Sequence, residues 1–187
     1  DCTGIAPDFT CSLKSEYAKP QDCLGYRLPT ESEWEYAARA GTASAFYNGE
    51  ITNIEKTPLD PNLHAIGWYG GNSLVSYEGG EDCSTWFTGA PTCGTKSVGG
   101  KIPNAFDLYD MNGNLWEWSY DWDQEATPAG DETTPVVDPF GPENGSARSL
   151  RGGGWDSFSR SCRNANRGAN VPATKRYSYG FRVVRTA

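Results

Sequence analysis

Residues 151–167 read Arg-Gly-Gly-Gly-Trp-Asp-Ser-Phe-Ser-Arg-Ser-Cys-Arg-Asn-Ala-Asn-Arg, and a polar stretch leads from them into Tyr-Gly-Phe-Arg-Val-Val-Arg at 179–185. This block constrains the fold more than any other stretch. Three consecutive glycines let the backbone pass where side chains would collide. The residues that follow obey neither the helical nor the strand period, so they read as an irregular surface. Trp155 ends the glycine run, Cys162, Ala165 and Arg167 have the look of fixed positions, and Phe181, Val183 and Val184 read as a buried closing strand. A rigid frame carrying an irregular, chemically mixed loop is how binding sites are commonly built. A long C-terminal loop held by one strand would look the same.

The rest of the composition agrees with a loop-rich chain. Among 187 residues there are 22 glycines, 12 prolines and one methionine, while seven tryptophans and ten tyrosines supply much of the apolar area. That mixture speaks against a helical bundle and for a single domain over 1–187 whose core leans on rings. The formal charge is −8. A polyanion partner needs clustered Lys and Arg, so nucleic acid is not expected. The C-terminal arginines, set beside glycines and aromatics, read as donors to loop carbonyls; Arg163, Arg167 and Arg182 are assigned to structure.

Six cysteines in such a chain point to disulfides and an extracytoplasmic setting (secreted, periplasmic or cell-surface). Cys83 and Cys93 bracket a short loop and form the best pair. A second pair is expected among Cys2, Cys11 and Cys23, and a third bond is expected to reach Cys162. His64 is the only histidine, which removes His-rich metal triads. No apolar run reaches membrane-spanning length.

The clearest local element is a helix starting at Glu31. Thr30 with Glu33 forms a capping box, Trp34, Ala37 and Ala38 share a face, and Gly41 supplies the stop. Asn48-Gly49 marks a turn. Residues 50–100 read as loop with short strands, and Val136-Val137 as a short edge strand after an acidic loop that begins at 123. Asp110-Met-Asn-Gly is a turn signal, and Leu115, Trp116 and Trp118 begin an aromatic strand. Asp110, Asn112, Asn114 and Glu117 put hard oxygen donors close together, yet the spacing is not that of an EF-hand, and an Asx-turn explains them equally.

Three blocks together carry a resemblance: Gly-Tyr-Arg-Leu-Pro-Thr-Glu-Ser-Glu-Trp-Glu-Tyr-Ala-Ala-Arg-Ala-Gly from 25, Pro-Asn-Ala-Phe-Asp-Leu-Tyr-Asp-Met-Asn-Gly-Asn-Leu-Trp-Glu-Trp from 103, and the C-terminal block with its Cys-Arg-Asn-Ala-Asn-Arg and Gly-Phe-Arg. In this order and spacing they resemble the formylglycine-generating-enzyme (sulfatase-modifying factor) family. The resemblance implies an α+β, C-type-lectin-like fold with little regular secondary structure. It implies calcium at Asp110, Gly113, Leu115 and Glu117.

The family's oxidases bind copper through two cysteines in the C-terminal block. Here that block holds only Cys162, and one thiolate cannot make a two-thiolate site, so copper and formylglycine synthesis are not expected. The family's N-terminal strand and helix have no counterpart ahead of residue 22, so a partner chain supplying them is a possibility. The resemblance extends to the non-catalytic variable proteins of diversity-generating retroelements, whose diversified positions fall in this block.

The expected function is therefore ligand binding without catalysis, with a protein or other macromolecule as the ligand. The expected contact residues are Trp155, Asp156, Ser157, Phe158, Ser159, Asn170, Tyr177 and Tyr179, although core packing competes for Trp155. A copper-dependent oxidase acting on sulfatase cysteines and a structural subunit of a cell-surface assembly are the rival readings.

Overall fold

The computed structural model describes residues 19–85, 92–124 and 134–186, together with the backbone of 2–3 and 10–11. Its centre is a four-stranded sheet in the order β8-β7-β6-β9. Here β6 is Trp116–Trp122, β7 Arg148–Arg151, β8 Gly168–Asn170 and β9 Tyr179–Gly180. Strands β6 and β7 are antiparallel, with Glu117 opposite Arg151 and Trp118 opposite Leu150, while β9 runs parallel to β6. Around this sheet lie three two-stranded pairs. They join β1 (Cys2–Thr3) to β2 (Thr10–Cys11), β3 (Tyr26–Arg27) to β10 (Val184–Arg185), and β4 (Glu81–Asp82) to β5 (Thr92–Cys93).

Helix α1, Glu31–Arg39, forms as its sequence dictates. The Thr30 hydroxyl accepts from Glu33 N and the Glu33 carboxylate accepts from Thr30 N, closing the capping box. The helix ends where Ala40 turns left-handed at φ 45° and Gly41 follows at φ 90°. Its buried face carries Trp34 and Ala38, which pack with Met111. A second core gathers Phe46, Leu63, Ile66, Tyr69 and Cys162. A third joins Cys83, Cys93 and Trp155.

Four expectations are corrected. Cys162 is a buried free thiol, not a disulfide partner. The Cys83–Cys93 bond, by contrast, is formed. Phe181 is 70% exposed and Val183 51%, so the closing strand shrinks to the two residues Val184–Arg185, and among the described residues neither side chain is buried. Val136 and Val137 are exposed and belong to no strand, so their apolar residue types are not used for pairing among the described residues. Finally, residues 50–100 contain helix α2, Pro61–Ile66, which is capped when the Asp60 carboxylate accepts from Leu63 N at 2.9 Å. Part of the acidic loop that begins at 123 lies outside the described residues.

Candidate ligand surface and cation cradle

The frame of the C-terminal block is bonded mainly through main-chain oxygens. Arg151 is fully buried; its guanidinium donates to Asn164 O and Asn166 O at 2.8 Å and pairs with Glu35. Burial lowers the affinity of this guanidinium for its proton, and the carboxylates of Glu35 and Glu31 oppose that shift. Asn112 donates to both Cys162 O and Asn164 Oδ1 at 2.8 Å. Gly153 has φ 76°, and a Cβ there would lie 2.6 Å from Cys162 Sγ, so only glycine fits against the cysteine. The Cys162 thiol donates to Phe158 O, and burial pushes its pKa well up, which disfavours a thiolate.

The eight residues expected to touch a ligand divide into two groups. Trp155, Ser157 and Ser159 are buried in the frame. Trp155 N donates to Asn114 O and its indole N–H to Tyr177 O. Ser157 Oγ accepts from Trp116 Nε1 at 3.1 Å and Gly154 N at 3.0 Å, and Ser159 Oγ donates to Asn53 O and Glu55 O. The polar atoms of Ser157 and Ser159 are already occupied, which corrects their placement on the contact surface, whereas Trp155, though largely buried, still lines the clefts beside Tyr177.

Phe158 and Tyr177 face outward, 38% and 78% exposed, and Asp156 is half-buried. Phe158 lies under Lys56 Nζ at 5.2 Å and the Arg160 guanidinium at 4.2 Å. Burial lowers the Lys56 ammonium to about 8, against the pull of Asp156. Tyr179 is braced edge-on to Trp118, and its hydroxyl accepts from Asn170 Nδ2 at 3.1 Å. Asn170 in turn holds Val171 N and the Thr174 hydroxyl. Asn170 and Tyr179 thus shape the loop, while Asp156, Phe158 and Tyr177 present its chemistry.

Two adjoining clefts open beside Tyr177. One, of about 200 Å³, lies between Tyr77, Glu81, Gly94, Trp155 and Tyr177. The other, of about 330 Å³, is lined by Glu81, Asp82, Asp156, Lys175, Arg176 and Tyr177. Tyr77, Glu81 and Asp82 were invisible as site residues in the sequence. The legible signal was the Cys83–Cys93 bracket, whose bond packs this hairpin against Trp155.

The expected calcium ligands also converge in part. Asp110, Leu115 and Glu117 line a common cavity of about 350 Å³ with Asn114. Asp110 Oδ2 accepts from Gly99 N at 2.8 Å, whereas its buried Oδ1 has no partner among the described residues. Gly113 O accepts from Leu115 N and, like any carbonyl, has a second lone pair. Glu117 is more committed: its carboxylate accepts from Trp34 Nε1 at 2.6 Å and from Arg182 at 2.5 and 2.7 Å. No group of three or more His, Cys, Asp or Glu side chains converges on a metal position among the described residues. A cation here would therefore lean on Asp110 Oδ1 and main-chain oxygens, donors that suit calcium.

Comparison with known proteins agrees with this geometry. The formylglycine-generating enzymes of Thermomonospora curvata and Streptomyces coelicolor are 37% and 38% identical over 84% and 87% of the chain. The chain spans about half the length of each, 48%. Among solved structures, Treponema denticola variable protein 1 superimposes with a TM-score of 0.67 at 26% identity, covering 100% of this chain and 62% of that one. The fold is thus α+β and C-type-lectin-like, of the kind these proteins share. The sulfatase-modifying factor enzyme 1-like domain matches residues 7–187, and the chain belongs to that family.

Proposed function

We propose that the chain is a non-catalytic, extracytoplasmic ligand-binding domain that recognises a protein or other macromolecule through its C-terminal block. One observation carries this reading: the block is divided between a sealed frame and an outward face. Arg151, Trp155, Ser157, Ser159 and Cys162 are buried with their bonds made inside the fold, while Asp156, Phe158, Val171, Ala173 and Tyr177 reach solvent. Exposed rings among short polar side chains are what binding hot spots favour.

The variable protein of Treponema denticola shares the fold and supports the same reading. The disulfide supports an oxidising setting, and no helix among the described residues is long and apolar enough to cross a membrane. Calcium held by Asp110, with oxygens of Gly113 and Leu115 and a shared Glu117, would neutralise the unpartnered carboxylate oxygen.

The rival reading is an oxidase that converts a sulfatase cysteine to formylglycine, as the names of the relatives suggest. Two experiments separate the readings. Incubation with Cu(I), oxygen and a peptide bearing a sulfatase cysteine site should leave the peptide without an aldehyde by mass spectrometry. Stoichiometric aldehyde would return the chain to the oxidases. Selection from a displayed random-peptide library should yield binders that are lost in Phe158→Ala or Tyr177→Ala at unchanged melting temperature. If repeated selections yield no binder, ligand binding through this block is wrong.

A further inference from the structure

Resting on the ligand-binding reading, we propose that the cleft between Tyr77, Trp155 and Tyr177 is a socket for a cationic side chain, arginine or lysine, of the partner. Three rings line this space of about 200 Å³, and Glu81 is the only charged residue lining it among the described residues. Aromatic faces attract ammonium and guanidinium groups, more strongly as water is excluded. Glu81 is half-buried at the start of β4, and its carboxylate makes no hydrogen bond or ion pair among the described residues. The Tyr177 hydroxyl is likewise uncommitted among them. A half-buried carboxylate held among rings, with no ion pair among the described residues, is complementary to a cation brought from outside.

The socket is also built rather than incidental. The Tyr77 hydroxyl donates to Thr95 O at 3.0 Å, which fixes that ring. A Cβ at residue 94 would lie 2.1 Å from the same hydroxyl, so Gly94 is what admits the ring to its place. Trp155 forms the floor, anchored through its indole N–H on Tyr177 O. The Cys83–Cys93 bond, packed against Trp155, ties β4 and β5 together on the opposite wall. The wider cleft alongside shares Glu81 and adds Asp82, Asp156, Lys175 and Arg176, so acidic groups still outnumber basic ones there. At the scale of the whole chain, a net charge of −8 draws a basic segment toward this face.

The test is a titration followed by NMR at the Trp155 indole N–H and the Tyr77 and Tyr177 rings. The probes are N-acetyl-L-arginine amide, N-acetyl-L-lysine amide and the neutral isostere N-acetyl-L-citrulline amide. The two cations should bind saturably at roughly millimolar concentration, as small fragments do, and more weakly as salt rises. Citrulline should not saturate. Glu81→Gln should weaken the cations roughly fivefold or more while leaving the melting temperature unchanged, since the carboxylate makes no bond to the other described residues.

Equal binding of citrulline, an unaffected Glu81→Gln variant, or no saturable shift with either cation would overturn the proposal. The library selection keeps the two readings apart. Selected peptides that depend on Tyr177 but carry no basic residue leave the ligand-binding reading standing and remove this one. Basic residues enriched in those peptides, with binding lost in Glu81→Gln, support both.

Discussion

Asp121 faces the interior of the sheet and is 5% exposed. Its Oδ2 accepts from Glu31 N at 2.7 Å, at the start of α1. Burial pushes its carboxyl up to about 6, with the nearby Glu31 charge adding to the rise and Arg148 opposing it. The group therefore holds its proton more tightly folded than unfolded. Its contribution to stability is complete below the unfolded value of about 3.9 and is lost as pH rises through about 6. Asp121→Asn should flatten the stability profile between those two values and raise the melting temperature at pH 8 relative to the parent. Urea melts at pH 4, 6 and 8 check this; a variant less stable than the parent at every pH would show that the carboxylate itself is needed.

At this same scale, the cap at Thr30 and the Cys83–Cys93 bond were legible because each is a local pairing encoded by residue type and spacing. The inward turn of Ser157 and Ser159 was not, since their partners, Trp116, Asn53 and Glu55, lie far away in sequence.

Strand β6 inverts the usual alternation. Glu117, Ser119 and Asp121 point inward, while Trp116, Trp118, Tyr120 and Trp122 lie on the half-exposed side. Periodicity revealed an aromatic strand but would have placed the rings in the core. The inward carboxylates are tolerable because Trp34 and Arg182 donate to Glu117 and Glu31 N donates to Asp121, while Ser119 Oγ has no partner among the described residues. Arg151 joins the elements: it lies opposite Glu117 in the ladder and pairs with Glu31 and Glu35 of α1. Arg167 supports Glu31 from the other flank at 2.5 Å. Arg151→Met should cost about 3 kcal/mol, since it strands buried acceptors and carboxylates; chemical denaturation gives the value. A loss below about 1 kcal/mol, the range of a surface ion pair, would mean that Arg167 alone suffices. The two-residue β10 misled for a related reason. Phe181 and Val183 have strand-like residue types, but no layer of the described residues covers them, so their apolar character is not used for burial there.

Across the whole molecule, regular elements are short, and the C-terminal chain is held by side chains reaching main-chain carbonyls. The proposed calcium belongs at this scale, because Asp110 connects the 96–99 loop to the turn before β6 and shares a cavity with Leu115, which packs on the third core. Chelation of calcium should lower the melting temperature by several degrees, on the order of what 1–2 kcal/mol does in a chain of this size. Asp110→Ala should abolish that response. An unchanged melt of the parent in excess chelator would remove calcium from the account.

The three-block pattern revealed the architecture of the site but not its second wall. Tyr77 and Glu81 come from a stretch whose sequence is mostly turn-forming residues, and only the hairpin closed by Cys83–Cys93 carries them to Trp155.

Arg151 and Asn112 grip the carbonyls of residues 162, 164 and 166, and Asn164 N is held by Ala45 O. Every residue has a carbonyl, whatever its side chain. Such a scaffold is largely blind to the letters written between its anchor points. Positions such as 156, 158, 171 and 173 can be rewritten with little penalty to folding, so a new binding specificity does not first require a repaired core.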